Sequence, residues 1–254
     1  MKRVELLQCC VDIGRSLLVN GAEINRVEEA VTRILCSYQV EGGSVFAIPS
    51  LLIVTLPDEE GRPMTDSIRV HERGTDLNKV DRLNDLCRTI CRATPERDDI
   101  IKDLRAIETA PVYGPLTRVL AFALIGGSFA LLFGGSWGDG LCALVCGLAV
   151  GVVCQALAGR MNLFFLDVLA SAVSACIALT AASLLPGLHS DKIIMGAFMN
   201  LVPGVAITTF MRDILAGDLI AGAARLLETL LIACAVAIGT GLVMSAFHWA
   251  GGLM

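Results

Sequence analysis

Charge is scarce in the second half of this chain. Residues 116–254 carry 5 Lys or Arg and 6 Asp or Glu, against 15 and 19 in residues 1–115. Only 18% of all residues are charged, 55% are hydrophobic, and the mean hydropathy is +0.69. An ordinary globular domain carries about 25% charged residues. Scarcity this uneven excludes a single soluble core and a disordered chain. A net charge of −5 excludes nucleic-acid binding through bulk positive charge. Histidine is also rare, with 3 residues far apart in sequence. No CxxC and no paired histidines accompany the 10 cysteines, so neither a zinc ligand set nor a secreted disulfide scaffold is expected. Cys87–Cys91 and Cys142–Cys146 sit four apart on helices and read as small buried side chains of a reducing compartment. There is no GxSxG, no HExxH and no Walker loop. No catalytic residue, metal or cofactor is therefore expected.

What is present in the second half is a series of uncharged runs. They hold 20 residues before Asp139, 20 after it, 23 between Asp167 and Asp191, 19 between Lys192 and Arg212, and 26 after Glu228. A helix needs about 20 apolar residues to cross the hydrocarbon core. Five spans are expected, at about 117–134, 140–158, 163–185, 193–210 and 220–247. The fourth is the least regular, because Asn200, Pro203 and Gly204 interrupt it. Arg118, Arg160, Arg212 and Arg225 fall on one side of this bundle and Lys192 on the other, which places the N-terminus in the cytoplasm and the C-terminus outside. Gly147 with Gly151, and Ala170, Ser174 and Ala178, are spaced for close helix packing.

Residues 1–115 read as a small cytoplasmic α+β domain preceding the all-α transmembrane bundle of residues 116–254. No apolar run of about 7–15 residues opens the chain, so no secretory signal core is expected. Val4, Leu7, Val11, Leu17 and Leu18 mark a first amphipathic helix, and Val27, Val31, Ile34, Leu35 and Tyr38 a second, ended by Glu41-Gly42-Gly43. Strands are expected at Val45–Ile48, Leu51–Leu56 and Ser67–His71, with the turn at Asp58-Glu59-Glu60-Gly61. His71 reads as a strand histidine with a local hydrogen bond. Thr75 should cap a helix over about 76–93 that turns Leu77, Val80, Leu83, Cys87 and Ile90 inward, and Thr94-Pro95 should start a last helix carrying Ile100, Ile101, Leu104 and Ile107.

Two stretches stand out. One is Gly21-Ala22-Glu23-Ile24-Asn25-Arg26-Val27-Glu28. Its charges suit a salt-bridged solvent face, with Glu29–Arg33 beside it, or a cytoplasmic gate or subunit contact through Gly21, Glu23, Arg26 and Glu28. The other runs from Asn200 to Glu228. Proline frees a carbonyl and glycine lets the backbone bend, so Asn200, Pro203 and Gly204 suit a broken membrane helix that presents backbone groups to an anionic substrate. A plain proline kink is the alternative. Arg225 then suits a substrate carboxylate, and Glu228, Asp218 and Asp213 suit a coupling proton, since charges next to apolar spans usually face a partner or a wet cavity. For Arg212 and Asp213 a cytoplasmic loop with snorkelling ends is the competing reading. Asp167, followed by Ser171 and Ser174, could line the same pathway or lie at the interface.

These two stretches, GAE..RVE and PG…RD…GD…G..R..E, resemble the threonine/serine exporter (ThrE) family, and in particular its short five-span subunit type. The resemblance covers essentially the whole chain. It implies a multi-pass protein of the bacterial inner membrane that exports a small amino acid or short carboxylate, threonine/serine or succinate-like. Proton coupling, a second small multi-span subunit and a possible homo-oligomer are implied with it. Two other functions compete: a membrane sensor or scaffold, and a membrane-anchored hydrolase using the soluble domain.

Overall fold

The computed structural model describes residues 1–71, 74–111 and 113–251. The end of the expected membrane domain, residues 252–254, lies outside the described residues. The chain divides into two compact units, one of Met1–Pro111 with Ile207–Leu226, the other of Val112–Ala206 with Leu227–Met254.

The first unit begins with α1 (Arg3–Val19) and α2 (Ile24–Ser37), continues through β1 (Ser44–Ile48), β2 (Leu51–Pro57) and β3 (Pro63–Arg69), and returns to helix in α3 (Leu77–Ala93) and α4 (Arg97–Glu108). The strands form one antiparallel sheet in the order β1-β2-β3. Alternation along β2 sends Leu52, Val54 and Leu56 into the core, where α1 covers them with Leu6, Ile13 and Leu17. Each such side chain contributes roughly 1.5–3 kcal/mol by leaving water. Gly14 permits the approach, since a Cβ there would stand 2.5 Å from Leu52 Cδ2 and 3.3 Å from Val31. On α2, Ile24, Val27, Val31, Ile34 and Leu35 form one buried stripe, as the spacing predicts.

Boundaries shift from expectation for local reasons. The α2 helix stops at Ser37, and Gln39 rather than a glycine takes the first left-handed conformation (φ 57°). Asp58 Oδ1 accepts from the amides of Glu60 and Arg62, closing the turn early enough for β3 to begin at Pro63 and end at Arg69. Asp76, not Thr75, caps α3, by accepting from the Lys79 amide. Leu77, at the first turn of α3, is exposed instead of inward. Thr94 adopts φ 43° and ends α3, so α4 starts two residues after Pro95, at Arg97.

The second unit contains α5 (Pro115–Leu132), α6 (Trp137–Leu157), α7 (Leu163–Leu184) and α8 (Ser190–Phe198). Two further helices, α9 (Gly204–Ala216) and α10 (Leu219–Gly251), each run from one unit's residues into the other's. Among the described residues, four helices are long and apolar enough to cross a membrane: Pro115–Leu132, Trp137–Leu157, Leu163–Leu184 and Leu219–Trp249. Their outward faces carry Leu120, Leu124, Leu141, Val145, Leu169 and Leu242, all exposed, as lipid contact requires. Glycines hold α5 and α6 together. A Cβ at Gly147 would overlap the Phe122 carbonyl, and one at Gly151 would stand 3.1 Å from Phe122 Cβ. Ala170, Ser174 and Ala178 are fully buried on α7, and Gly239 of α10 fits against Ser171 and Val168.

The expected fourth span, 193–210, is two helices. The α8 helix has 9 residues and α9 has 13, each shorter than the roughly 20 needed to cross. Pro203 has no amide to donate and its ring clashes with the preceding turn, so residues 199–203 leave the helix and Gly204 starts a new one. Arg212 and Asp213, placed in a loop by the sequence, lie inside α9. The loop is confined to Gly217 (φ 97°) and Asp218.

Candidate functional site

The residues singled out by sequence fall into two groups, one in each unit. In the first unit, the two signature stretches meet. Arg212 Nη1 of α9 pairs with Glu23 Oε1, next to the N-terminus of α2. Glu23 Oε2 also lies 3.4 Å from Arg26 Nε. Arg225 of α10 donates from Nη2 to the carbonyl oxygen of Ala22 (2.8 Å), and its Nε lies 3.4 Å from Asp213 Oδ2. Asp213 is fully buried, while Arg225 keeps 12% of its side chain exposed. Burial raises the Asp213 carboxyl above the usual aspartate value, with the Arg225 guanidinium and the Ile24 amide opposing it.

Backbone geometry prepares this meeting. Gly21 takes φ +88°, and a Cβ there would stand 2.8 Å from the Gly74 carbonyl. Only glycine enters that turn without strain. The turn presents the Ala22 carbonyl to Arg225 and sets Glu23 as the N-cap residue of α2. On the other side, Gly222 lets α10 close on Ile214 and the Phe210 carbonyl of α9. Ala221 is 2% exposed and joins the hydrophobic core of the first unit. The solvent-face reading of α2 holds for Arg33 and Glu29, which pair at 2.5 Å with both side chains exposed. It does not hold for Glu23, at 18% exposure.

Glu28 is half-buried and accepts from the Ala47 amide at 2.7 Å, tying α2 to β1. Burial raises its carboxyl, the Ala47 amide opposes this, and the Asp218 charge adds to it. A carboxyl raised on folding favours the folded state below its ordinary range and weakens it as pH rises through the folded value. Glu28→Gln keeps an oxygen for Ala47 and removes the charge. The variant should melt higher than the parent at neutral pH, and the difference should vanish below the ordinary glutamate range. Thermal melts across pH check this, and equal midpoints at neutral pH would contradict it.

In the second unit, Asn200 occupies the break after α8. Its Nδ2 donates to the Phe122 carbonyl of α5 at 3.0 Å and to the Ala197 carbonyl at 3.3 Å, while Oδ1 is buried and has no hydrogen-bond partner among the described residues. Pro203 and Gly204 follow, with the Gly204 amide donating to the Val202 carbonyl at 2.9 Å. Leu201 of the break packs with Val150 of α6, Ala170 of α7 and Val236 of α10. Asp167 lies one turn before Ala170 on that helix. It is 6% exposed, and among the described residues its carboxylate has no hydrogen-bond or ion-pair partner. Glu228, on α10 one turn beyond Arg225, has an exposed side chain.

One polar cluster was not legible in the sequence. Asp139, fully buried, accepts from the Ser136 amide (2.7 Å), Ser136 Oγ (2.9 Å) and the His189 amide (2.7 Å), and stands 3.1 Å from His189 Nδ1. Ser136-x-x-Asp139 has the spacing of a capping box, which would have flagged the helix start. His189 is 50 residues away and gave no signal. Among the described residues no group of His, Cys, Asp and Glu could hold a metal ion.

The family model described as "Putative threonine/serine exporter" matches residues 8–247. The chain is 26% identical to a "Threonine/serine exporter" of Corynebacterium glutamicum over 91% of its own length and 49% of the relative's. It is 22% identical to a "Probable threonine/serine exporter" of Mycobacterium tuberculosis, over 92% of this chain and 45% of that one. A "Pheromone-regulated membrane protein 10" of Kluyveromyces lactis is 22% identical over 92% of this chain and 25% of its own. The chain thus spans half or less of the length of these relatives. No solved structure matches it. Glu23 and Arg225, the broken segment at Asn200–Gly204 and all but the last two residues of the four apolar helices lie within the matched residues, and the chain belongs to the threonine/serine exporter (ThrE) family.

Proposed function

We propose that this multi-pass chain is one subunit of a secondary transporter that exports a small amino acid or a short carboxylate. The observation that carries this reading is the broken apolar segment at residues 199–203, whose Leu201 shares a hydrophobic cluster with Ala170, one turn from the buried Asp167 on α7. Non-helical backbone at membrane depth is tolerated only where protein covers it or water reaches it. Asn200 supplies a buried amide oxygen that has no hydrogen-bond partner among the described residues, and Pro203 and Gly204 open the helix beside it for the substrate. Asp167 carries the coupling proton, with Glu228 as a second acid. The Gly21–Glu28 turn and helix, with Arg212, Asp213, Asp218 and Arg225, form a latch on the cytoplasmic side of the bacterial inner membrane. For Arg225 to attract a substrate carboxylate it would have to leave Asp213 and Ala22.

In this reading the transporter also contains a second small multi-span subunit. The test is efflux of labelled threonine, serine and succinate from proteoliposomes holding this chain with a candidate small multi-span partner. Efflux of one of these solutes, driven by a proton gradient, is expected with both proteins present. Retention of all three in that system would overturn the reading.

A further inference from the structure

The first unit holds a groove of about 570 Å³ between α2 and α3 that the transport reading does not use. Arg26 and Arg33 line it from α2, and Arg88 and Arg92 from α3, with Glu29 and Asn84 between them. The described lining holds four guanidinium groups and one carboxylate, and two further carboxylates, Glu23 and Asp85, pair with Arg26 and Arg88, which leaves a net local positive charge in a chain of net charge −5. The volume falls in the range of small-molecule sites, roughly 300–1,000 Å³.

Among the described residues nothing neutralises the groove firmly. Arg33 pairs with Glu29, Arg88 with Asp85 and Arg26 with Glu23, but all three arginine side chains are more than half exposed. Exposed pairs of this kind are weak and yield to a better ligand. Arg92 is exposed and has no ion pair among the described residues. Guanidinium groups grip phosphate oxygens in a two-pronged fashion, and a phosphate has oxygens enough to meet more than one such fork.

We propose that this groove is a binding site for a phosphate-bearing anion, held by arginine forks from both helices. Its occupant competes with Glu23 for Arg26. Glu23 is also the partner of Arg212, so the site reaches the α2–α9 contact through one shared carboxylate. Binding itself does not depend on the transport reading. The phosphate can come from a soluble di- or triphosphate or from a lipid headgroup.

Cys36 supplies the probe, because it is an exposed thiol lining the groove. The full chain in detergent is alkylated, and the rate at each cysteine is read by mass spectrometry. The ligands are inorganic pyrophosphate, ATP, and vesicles with or without phosphatidylglycerol. Slower labelling of Cys36, with unchanged labelling of the exposed Cys176 and Cys234, is expected. Protection by the soluble anions identifies a soluble ligand, and protection by anionic vesicles alone identifies a headgroup. Arg88→Ala with Arg92→Ala should weaken the protecting affinity by about tenfold or more for each guanidinium removed. Arg92→Lys is the milder variant should the double change disturb folding, and Arg62→Ala, on the hairpin, is the control. Absence of protection by every ligand would overturn the proposal. So would protection that survives the groove variants, or that falls equally in Arg62→Ala.

Discussion

Arg225→Ala is expected to destabilise the unit containing α1–α4 and α9 by about 3–5 kcal/mol, the usual result of removing one partner of a buried ion pair. The reason lies with Asp213. Its carboxylate is fully buried, and the guanidinium at 3.4 Å balances its charge. Without Arg225 the carboxylate must either remain charged in a poor solvent or take up a proton. The bond from Arg225 Nη2 to the Ala22 carbonyl disappears as well. Unfolding of the full chain in detergent, followed by heat or denaturant, measures the effect. The companion variant, Arg225→Met with Asp213→Leu, removes both charges and should recover most of the stability, because the desolvation of two ions is removed along with their attraction. A single variant as stable as the parent would show that the pair does not hold α9 in place.

Asp167→Asn is expected to reduce proton-driven efflux by about tenfold or more, which corresponds to ~1.4 kcal/mol or more of added barrier. Its effect on stability should have the opposite sign. Asp167 is 6% exposed on a membrane helix and has no partner among the described residues, so a neutral isostere removes an unfavourable burial instead of a useful interaction. A residue kept for packing would lose stability and transport together. Asp139 offers the contrast, since its carboxylate accepts from Ser136 and His189, and replacing it removes bonds that join the start of α6 to the start of α8. Efflux and melting measured on the same preparation separate the two cases. Unchanged efflux in Asp167→Asn would remove this acid from the pathway.

Membrane spans were legible because lack of charge is a property of consecutive residues. Four of the expected segments appear as apolar helices, with no end moved by more than four residues and α10 continuing beyond 247. The 193–210 segment was equally poor in charge, yet Pro203 and Gly204 divide it into α8 and α9. Periodicity likewise placed the buried stripe of α2 and the strand β2. It misplaced the α3 cap, since Thr75 and Asp76 are both good cap residues and only the fold selects the one whose side chain reaches the Lys79 amide.

The amino-acid sequence by itself determined the division into a charged and an apolar half, the small-residue faces of α6 and α7, and the two unusual stretches near residues 21–28 and 200–228. Each depends on neighbours within a few turns of the chain. Only the tertiary structure decided what those stretches do to one another. Glu23 and Arg212 are 189 residues apart, Ala22 and Arg225 are 203 apart, and no local pattern reports such a pairing. Charge clustered after a broken helix could serve a pathway, a loop or a contact with equal economy in one dimension. Folding turned Arg225 and Asp213 inward against the Gly21 turn, because a buried charge is tolerable only where its partner is already held.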